Sequence, residues 1–575
     1  MNILPNYVEI LFFSSAILLT GLPSGCAHQK PAELVLLGGK IVTVDDSRPE
    51  AQAIAVNGDR ITAVGSDEEI RAFIDSSTKV IDLKGKLAVP GFIDGHGHFM
   101  GLGKSKMRLD LAPAKDWQAI VSMVSNAVQR AKPGDWVLGR GWHQEKWDST
   151  PSPNIEGLPT HADLSRVSPD NPVLLVHASG HSGIANAKAM QLAGITSATQ
   201  NPAGGQIVRF KNGQASGVFR ETALGLLENV LDDALAKRSA QQIRDENLRT
   251  ISQATRECLS KGVTSFQDAG SSLQTVDLFK ELAGNNQLGV RLWVMLSDNN
   301  LQLAQALSKY KLINFANKHL TVRAIKRWID GALGAHGAWL LEPYSDLKDS
   351  SGLSAMPLEE IEHTAKLAIQ HGFQLCTHAI GDRGNREILN IYEKIFKKYP
   401  DKKNLRWRVE HAQHINPADI PRFSKLGVIA SMQSIHCTSD GPWVIKRLGE
   451  KRARQGAYVW QKLIKSGAVV SNGTDTPVED VNPIANFYSA VTRKMKTGAA
   501  FFAEQRMSRA EALRSLTLNA AYAAFEEEIK GSLTPGKLAD IVILSQDLMT
   551  VAENEIEKTQ VLYTILGGKV VYEKK

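Results

Sequence analysis

Short apolar runs alternate with longer helical stretches through most of the chain. Helical stretches such as SAQQIRDENLRTISQATRECLSKG stand between the runs, so strand and helix follow one another. Units of this kind are typical of a parallel sheet with crossover helices. Eight units are the number in a (β/α)8 barrel, so the pattern predicts an α/β fold with a TIM-like barrel. The eight runs are LAVPGFIDGHGH (87–98), VTSFQDAG (263–270), VRLWVML (290–296), VRAIKRWIDG (322–331), FQLCTHAIGD (373–382), LRWRVEHAQ (405–413), GVIASMQSIH (427–436) and GAVVSNGTDTPV (467–478).

Both ends of the chain have a different, strand-rich pattern. Residues 33–88 contain ELVLLGGKIVTVDD and QAIAVNGDRITAVG, and Asn57-Gly58 between two β-rich runs is a strong hairpin signal. Residues 533–573 contain KLADIVILSQD and VLYTILGGKVVYE. Because the tetrapeptide LGGK occurs at 37–40 and again at 566–569, we predict that the two ends build one small β domain.

The barrel is predicted over residues 89–532, between the two halves of the small domain. Residues 101–235 form a long excursion after the first strand, with several aromatic residues and Gly/Pro turns. We predict that this excursion is an inserted lid subdomain. Substrate selection is expected to depend on it, and its residues carry no code that identifies the substrate.

The N-terminal segment is apolar and short. ILFFSSAILLTGLPSGC has the length of a signal peptide and is short for a membrane span. Cys26 follows Ser24-Gly25 as in a bacterial lipoprotein cleavage site, although Pro23 stands where an aliphatic residue is usual, and Glu9 precedes the apolar run. We predict that residues 1–26 are a leader and that the protein is exported in a bacterium, as a periplasmic protein or one anchored to the membrane through lipidated Cys26.

Composition and charge are those of a soluble globular protein, with 43% hydrophobic and 22% charged residues. A net charge of +7 is small for 575 residues, and no long Lys/Arg run accompanies it. A solvated basic surface is therefore favoured over nucleic-acid binding. The three cysteines beyond the leader form no disulfide framework and are expected to be buried thiols.

Metal-binding or charged residues stand at the ends of several predicted strands. His96 and His98 are two residues apart in a strand, so their side chains point to the same face. Barrel active sites are assembled at the carboxyl ends of strands, and imidazoles with a carboxylate are ligands that Zn²⁺ prefers. A lone His at a strand end is usually a satisfied polar group, but the combined series in barrel order predicts a metal site. The series is His96, His98, Lys326, His378, His411 and Asp475.

Five motifs carry a resemblance to a known family. VPGFIDGHGH, IKRWIDGALGAHGAWL, THAIGDRG, RVEHAQ and SNGTDTPV are similar to motifs of the amidohydrolase superfamily. They resemble more narrowly the branch of N-substituted formamide deformylase and the YtcJ-like proteins, which HSGIANAKAM (181–190) also fits. The resemblance covers about residues 33–573. It implies a (β/α)8 barrel with a β-sandwich domain built from both chain ends.

The resemblance also implies a catalytic centre with two metal ions, expected to be zinc. A carbamate formed on the Lys326 side chain would bridge them, and metal-bound hydroxide would attack the carbonyl of a non-peptide amide or N-substituted formamide. A single-metal site remains an alternative, with His411 orienting the water and Lys326 kept as an amine. In the two-metal version His96 and His98 hold the first metal, His378 and His411 hold the second, and Asp475 is both ligand and general base.

Substrate-binding candidates follow from position and from the resemblance. Some lie just past strand ends, where loops face a barrel site, and others lie in the excursion. His336 follows Ala335, where family members often carry Ser-Arg or similar, so it could reach the substrate and shift specificity. The candidates are His181, Asn186 and Trp142 in the excursion, and Asp330, His336 and Asp382 beside the barrel strands.

Fold alone does not choose among the chemistries of such barrels. The same metal site could serve deaminase, ester hydrolase or isomerase chemistry. An exported, non-catalytic binding protein is a further alternative, although it would have no need for all six metal-site residues. The expected partner is a small-molecule amide. The sequence leaves a homodimer open and identifies neither the native metal nor the substrate.

Overall fold

The computed structural model describes residues 30–144, 147–177, 182–202, 205–334 and 336–575. The predicted leader, Cys26 included, and His181 lie outside these residues. Within the described ranges, no helix is both long enough and apolar enough to span a membrane. The predicted fold class is confirmed, because a (β/α)8 barrel is joined to a two-sheet domain made from both chain ends.

Eight parallel strands in chain order form the barrel wall. Backbone hydrogen bonds connect the loop after the last strand to the end of the first, from Asp475 N to His96 O (2.7 Å) and from His98 N to Thr476 O (2.7 Å). A Cβ on Gly95 would lie 2.6 Å from the Asn472 carbonyl oxygen, so only glycine allows this approach. The barrel strands, numbered 1 to 8, are Phe92–Gly97, Val263–Ser271, Arg291–Leu296, Leu320–Trp328, Gln374–Ala379, Arg408–His411, Ile429–Met432 and Val470–Asn472.

All eight predicted barrel runs overlap a barrel strand, but the first run is divided. Leu87–Pro90 pairs with Ile541–Leu544 in the small domain, and barrel strand 1 begins only at Phe92. The small domain therefore extends to Pro90, two residues beyond the predicted boundary. Gly91 separates the two strands, and a Cβ there would lie 2.2 Å from the Thr264 hydroxyl oxygen.

Helices cover the outside of the barrel. Several begin at a Ser or Asn whose side chain accepts a backbone N–H while a Gln or Glu three residues on reciprocates, as Ser239 and Gln242 do. The helix that follows barrel strand 5, Asp382–Lys398, buries one apolar face against the strands. The helices from the barrel region after the insertion are Ala240–Ser260, Leu273–Gly284, Asn300–Tyr310, Phe315–Lys318, Leu358–His371, Asp382–Lys398, Ile420–Leu426, Ser434–Leu448, Glu450–Gly456, Trp460–Lys465, Pro483–Thr492, Arg509–Ser515 and Leu518–Ala523.

The small domain has two sheets with an apolar core between them. The two LGGK segments are turns, and glycines 38, 567 and 568 take positive φ of 68°, 54° and 75° there. The Asn57-Gly58 hairpin is confirmed by antiparallel pairing of the flanking strands. One sheet contains Arg60–Gly65, Ala53–Asn57, Leu34–Leu37 and Lys79–Asp82, and the other contains Lys569–Glu573, Val561–Leu566, Ile541–Leu544, Leu87–Pro90, Lys40–Val42 and Glu50–Ala51.

The excursion after barrel strand 1 folds around apolar clusters of its own. Its first helix, Phe99–Lys106, packs against Ala240–Ser260 of the barrel layer. Beyond that helix a six-stranded mixed sheet forms, with helices beside it. The strands in sheet order are Gly205–Arg209, Ala215–Glu221, Ser182–Ala185, Val173–His177, Val137–Trp142 and Leu109–Asp110, and the helices are Trp117–Val128, Ala162–Val167, Ala187–Leu192 and Gly225–Ala236.

A buried ion pair joins the barrel to the small domain. Arg291, at the start of barrel strand 3, donates from Nε to Asp540 Oδ2 (2.7 Å) and from Nη2 to Oδ1 (3.0 Å). Gly567 N also donates to Asp540 Oδ1 (2.8 Å). Burial would raise the pKa of Asp540, but Arg291 outweighs it and lowers that pKa. The pair is therefore ionised at neutral pH.

Replacing Asp540 by Asn is expected to destabilise the protein by about 3–5 kcal/mol, because it leaves the Arg291 charge buried without its anion. Urea unfolding at neutral pH measures the loss. Arg291→Met combined with Asp540→Leu should cost much less, since no buried charge remains. Because the folded pKa of Asp540 is lowered, its contribution is present above its unfolded pKa and lost as the pH falls through the folded value. Equal losses in the single and double variants would contradict this account.

Candidate active site

A cavity of about 650 Å³ opens at the carboxyl ends of the barrel strands. A groove of similar volume, about 700 Å³, lies between helix Ala240–Ser260 and the C-terminal strand, but the described residues that line it include none of the predicted site residues. The barrel cavity brings the predicted metal residues together with an apolar wall. Its lining includes His98, Lys326, Asp330, His378, His411 and Asp475, with Trp328, Leu333, Ile380, Trp443 and Val478.

The first group of ligand atoms comes from the carboxyl ends of barrel strands 1 and 8 and the residues just after them. Nε2 of His96 lies 3.6 Å and Nε2 of His98 lies 3.3 Å from the same oxygen, Asp475 Oδ1. One ligand atom from each residue lies within 4.8 Å of the other two. His96 is fully buried, whereas the His98 side chain is 41% exposed. The two imidazoles point to a common position, as the His-Gly-His spacing predicted. A Cβ on Gly97 between them would lie 2.6 Å from the Phe266 ring.

A buried carboxylate, Glu410, and a buried guanidinium, Arg408, lie on the side of His96 away from the cavity. Nδ1 of His96 is hydrogen-bonded to Glu410 Oε2, so its Nε2 faces the other ligands. Arg408 lies two residues before Glu410 in barrel strand 6. Its Nε is 2.6 Å from Glu410 Oε1. Burial would raise the pKa of Glu410, but Arg408 and His96 hold it well below its usual range. The carboxylate is therefore ionised and fixes the ring of His96.

A second group of ligand atoms belongs to His411, His436 and Asp475, again within 4.8 Å of one another. His411 is oriented by Gln433, whose Oε1 lies 2.7 Å from Nδ1. The His378 ring packs against the His411 ring with centroids 4.4 Å apart. The structure thus places His378 beside this group and adds His436, on the first turn of helix Ser434–Leu448.

Two residues of these groups have unusual backbone conformations. His411 has a φ of 72° and Asp475 a φ of 56°. Residues other than glycine seldom adopt this left-handed region, and those that do cluster at functional sites. Both stand where a barrel strand gives way to its loop, so the turn directs each side chain into the cavity.

Lys326 lies between the two groups. Its side chain is buried, and Nζ is 3.3 Å from His96 Nε2. Burial lowers the pKa of Lys326, and this outweighs the carboxylates of Glu410 and Asp475, which act in the opposite direction. A larger share of the amine is therefore neutral than in an exposed lysine.

The protonation states fit a divalent metal. Burial lowers the pKa of His96 to about 4 and that of His378 to about 3, and it lowers the pKa of His411 well below its usual range. Burial would raise the pKa of Asp475, but the hydrogen bond with His98 and the nearby imidazoles hold it well below its usual range. Neutral imidazoles and an ionised carboxylate are the forms that bind metal. Within the described part of the chain, Nε2 of His378 and of His436 are buried without a hydrogen-bond partner.

Asp330 orients the loops around barrel strands 4 and 5. Its carboxylate accepts hydrogen bonds from the backbone N–H groups of Trp339 (2.9 Å), Ile380 (2.9 Å) and Gly381 (2.8 Å). Its Oδ1 lies 3.5 Å from His378 Nε2. Asp330 lines the cavity, as predicted for a substrate contact, but its oxygens are occupied by the backbone.

Two predicted substrate residues do not line the cavity. Trp142 is fully buried in the insertion, where its indole N–H donates to Leu175 O (2.9 Å). Asn186 is also fully buried, and its side chain accepts from the N–H groups of Val173 and Ala189 at the start of a short helix. Both side chains serve the core and the helix ends of the insertion, and a role for them in substrate binding stays a prediction.

The remaining substrate candidates also lie outside the cavity lining or outside the described residues. His336 Nε2 lies 3.1 Å from Asp346 Oδ1. Asp382 accepts a hydrogen bond from Leu341 N (2.9 Å) at the start of its helix. His181 is not among the described residues. None of the described residues lining the cavity belongs to the insertion, so the insertion's role as a lid stays a prediction.

Glu410 and His436 were not predicted as site residues from the sequence. Glu410 had a signal: Arg408 and Glu410 are opposite charges two residues apart, on the same face of a strand in an apolar run. His436 ended the seventh predicted run, but only a helix beginning at Ser434 turns it toward Asp475.

Replacing Glu410 by Gln is expected to weaken metal binding by about 10–100-fold, the usual effect of losing a group that orients a metal-bound imidazole. Titration of the metal-free protein against a competing chelator measures it. Glu362→Gln, at a surface ion pair with Lys394, is the matched control. Unchanged metal affinity in Glu410→Gln would remove this role. Thermal unfolding of the variant, run in parallel, reports the separate cost of leaving Arg408 without its anion.

Fold and site define this chain as a metal-dependent hydrolase of the barrel type. The amidohydrolase family model matches residues 79–572, so the chain belongs to the amidohydrolase family. The predicted resemblance to the N-substituted formamide deformylase and YtcJ-like branch is confirmed.

Three comparisons illustrate the relationship. Protein LONG AFTER FAR-RED 3 of Arabidopsis thaliana is 33% identical, over 94% of this chain and 92% of its own length. N-substituted formamide deformylase of Arthrobacter pascens is 26% identical, over 94% of this chain and 98% of its own. A metal-dependent hydrolase from Pyrococcus horikoshii, described as uncharacterized, has a solved structure similar to this one, with a TM-score of 0.71 and 25% identity over 91% of this chain and 99% of the other.

Proposed function

We propose that the protein hydrolyses the carbon–nitrogen bond of a non-peptide amide, of the N-substituted formamide type. The observation that carries the proposal is the pair of ligand groups at the barrel cavity, formed by His96, His98 and Asp475 and by His411, His436 and Asp475. The similarity to a deformylase over nearly the whole chain supports this bond type. The cavity of about 650 Å³ leaves room for a substituent much larger than a formyl group.

Two divalent ions, zinc being our expectation, would be held by His96, His98 and Asp475 and by His378, His411 and His436. Bound there, they would supply an acidified water and polarise the carbonyl of the substrate. Asp475 takes the proton of the attacking water on a carboxylate oxygen and delivers it to the leaving nitrogen. Glu410 holds Nδ1 of His96, which keeps that ring in a single orientation.

Lys326 is proposed to carry a carbamate. Its neutral Nζ attacks the carbon of CO₂, the N–C bond forms, and the released N–H proton passes to solvent. The product is an anion in place of a cation, which suits a position between two metal ions. Incubation with carbon-13-labelled bicarbonate should give a carbamate NMR signal that is absent from Lys326→Ala. The single-metal alternative predicts no such signal and one ion per chain.

A panel assay tests the reaction class. Metal-loaded protein is offered formamides, N-acyl amines, cyclic amides, esters and aminated heterocycles, with a chelator-treated sample as the control. Turnover of formamides or acyl amines that is lost on chelation and restored by metal supports the proposal. Preference for esters or for deamination would overturn it. Ligand binding that survives chelation, with no turnover, would favour a non-catalytic binding protein.

We also propose that residues 1–26 direct export, with lipidation of Cys26. The supporting observation is the apolar run that ends at Ser24-Gly25-Cys26. Labelling of the full chain with a radioactive fatty acid in bacterial cells should mark the wild type and not Cys26→Ala. Label in both proteins would contradict the proposal, as would protein from these cells that still carries residues 1–25.

A further inference from the structure

The cavity carries charge beyond the candidate metal centre. Apart from the metal-site residues, its described lining contains three ionisable side chains: Asp330, Asp440 and Glu479. All three are acidic, and the described lining contains no arginine and no lysine other than Lys326. Because backbone N–H groups already occupy the Asp330 carboxylate, Asp440 and Glu479 are the carboxylates left to meet a substrate.

Asp440 is held in a fixed position. Its Oδ2 accepts hydrogen bonds from Tyr458 OH (2.6 Å) and from Gln413 Nε2 (2.8 Å). Gln413 also contacts the Tyr458 hydroxyl, so the three side chains form one network. These neutral donors orient the carboxylate without supplying a countercharge. Burial raises the pKa of Asp440, so a cation beside it in the cavity would stabilise its ionised form.

The same face of helix Ser434–Leu448 presents other groups to the cavity. His436 stands one turn before Asp440, is 8% exposed, and has a buried Nε2 with no hydrogen-bond partner among the described residues. Trp443 stands three residues after Asp440 and lines the cavity as well. This face of the helix is thus directed at a ligand rather than at a protein surface.

Two tryptophan rings, Trp328 and Trp443, also line the cavity. Trp328, at the end of barrel strand 4, is 41% exposed and lines the cavity. Carboxylates next to tryptophan rings bind ammonium and guanidinium groups, because both the charge and the ring face attract a cation. The same arrangement repels an anionic substrate, since no described cation outside the metal site would compensate it.

We propose that Asp440, Glu479 and Trp443 form a subsite for a cationic group, and that the substrate is an amide with an ammonium or guanidinium group at the end remote from the scissile bond. This inference rests on the proposed amide hydrolysis, since it names the substrate of that same site. Asp440 and Glu479 are specificity-determining residues here. Amides that end in a carboxylate, such as N-acyl amino acids, are disfavoured.

Three matched formamides test the proposal. Each has the same polymethylene spacer on nitrogen and ends in an ammonium, a methyl or a carboxylate group, and spacers of several lengths are compared. With metal-loaded, full-length protein we expect kcat/KM to fall in that order, with about a tenfold advantage for the ammonium compound over the methyl compound. Equal values, or a preference for the carboxylate compound, would overturn the subsite.

Single substitutions test whether Asp440 and Glu479 cause the preference for the ammonium compound. Asp440→Asn keeps the shape of the side chain and removes its charge, and it should lower the ratio of ammonium to methyl kcat/KM by about tenfold. Glu479→Gln should lower the same ratio and leaves the Tyr458 network intact, so it remains informative if Asp440→Asn folds poorly. Asp401→Asn, at a side chain 71% exposed on the surface, is the control and should leave the ratio unchanged. A ratio unaffected in both cavity variants would refute the proposal.

A binding measurement separates this inference from the proposed reaction. If neither formamides nor acyl amines are turned over, the reaction class is wrong, and calorimetric titration of the same three compounds then reports charge selection alone. Tighter binding of the ammonium compound that is lost in Asp440→Asn supports the subsite even then. Equal binding of the three compounds overturns it, whatever the reaction.

Discussion

Replacing Asp475 by Asn is expected to lower kcat by about 10³-fold, within the range that a positioned general base contributes. The amide of Asn cannot take a proton from the attacking water, whereas the neutral imidazoles around it remain. We therefore expect most of the metal to stay bound. The measurement is steady-state kcat on the best formamide, together with metal content by elemental analysis of the same preparation.

The control for this prediction is Asp480→Asn, five residues further along the same loop. Asp480 has a side chain 57% exposed and pairs with Lys261, so its loss should leave kcat unchanged. Near-normal kcat in Asp475→Asn would show that another group moves the proton. Loss of metal together with activity would instead make Asp475 chiefly a ligand, because Oδ1 lies within 3.6 Å of both His96 and His98 Nε2.

The barrel could be predicted from the sequence because buried parallel strands are read as continuous apolar runs. That the side chains of the metal series lie close together could be predicted because a barrel brings the ends of its strands to one rim whatever their separation along the chain. His96 and Asp475 are far apart in sequence, yet the backbone N–H of Asp475 donates to the carbonyl oxygen of His96 where the barrel closes. Neither inference needed side-chain positions.

The surroundings of His436, Trp142 and Asn186 depend on local packing that a sequence pattern does not contain. His436 reaches Asp475 only because a helix begins two residues before it. Trp142 and Asn186 lie in a motif-rich segment, but the insertion closes over them as its own core. Family-like motifs therefore located the strand ends correctly and did not distinguish substrate contacts from structural residues.

Lys326→Ala is expected to lower kcat/KM by more than about a hundredfold, since even groups that merely orient metal ligands are worth about 10–100-fold. Nζ lies 3.3 Å from His96 Nε2 and is buried, so its removal leaves a small space beside the metal ligands. A short carboxylic acid can enter that space and present two oxygens, as a carbamate would. We expect formate or acetate to restore part of the activity.

The rescue distinguishes two roles for this side chain. As a carbamate, Lys326 supplies an anion, so a small carboxylate restores activity and alkyl amines do not. As a free amine in a single-metal site it supplies a cation, so the reverse holds. Lys309→Ala, on the exposed face of helix Asn300–Tyr310, should change nothing with either additive. Full activity of Lys326→Ala without any additive would exclude both roles, and the metal content of that variant should then equal that of the wild type.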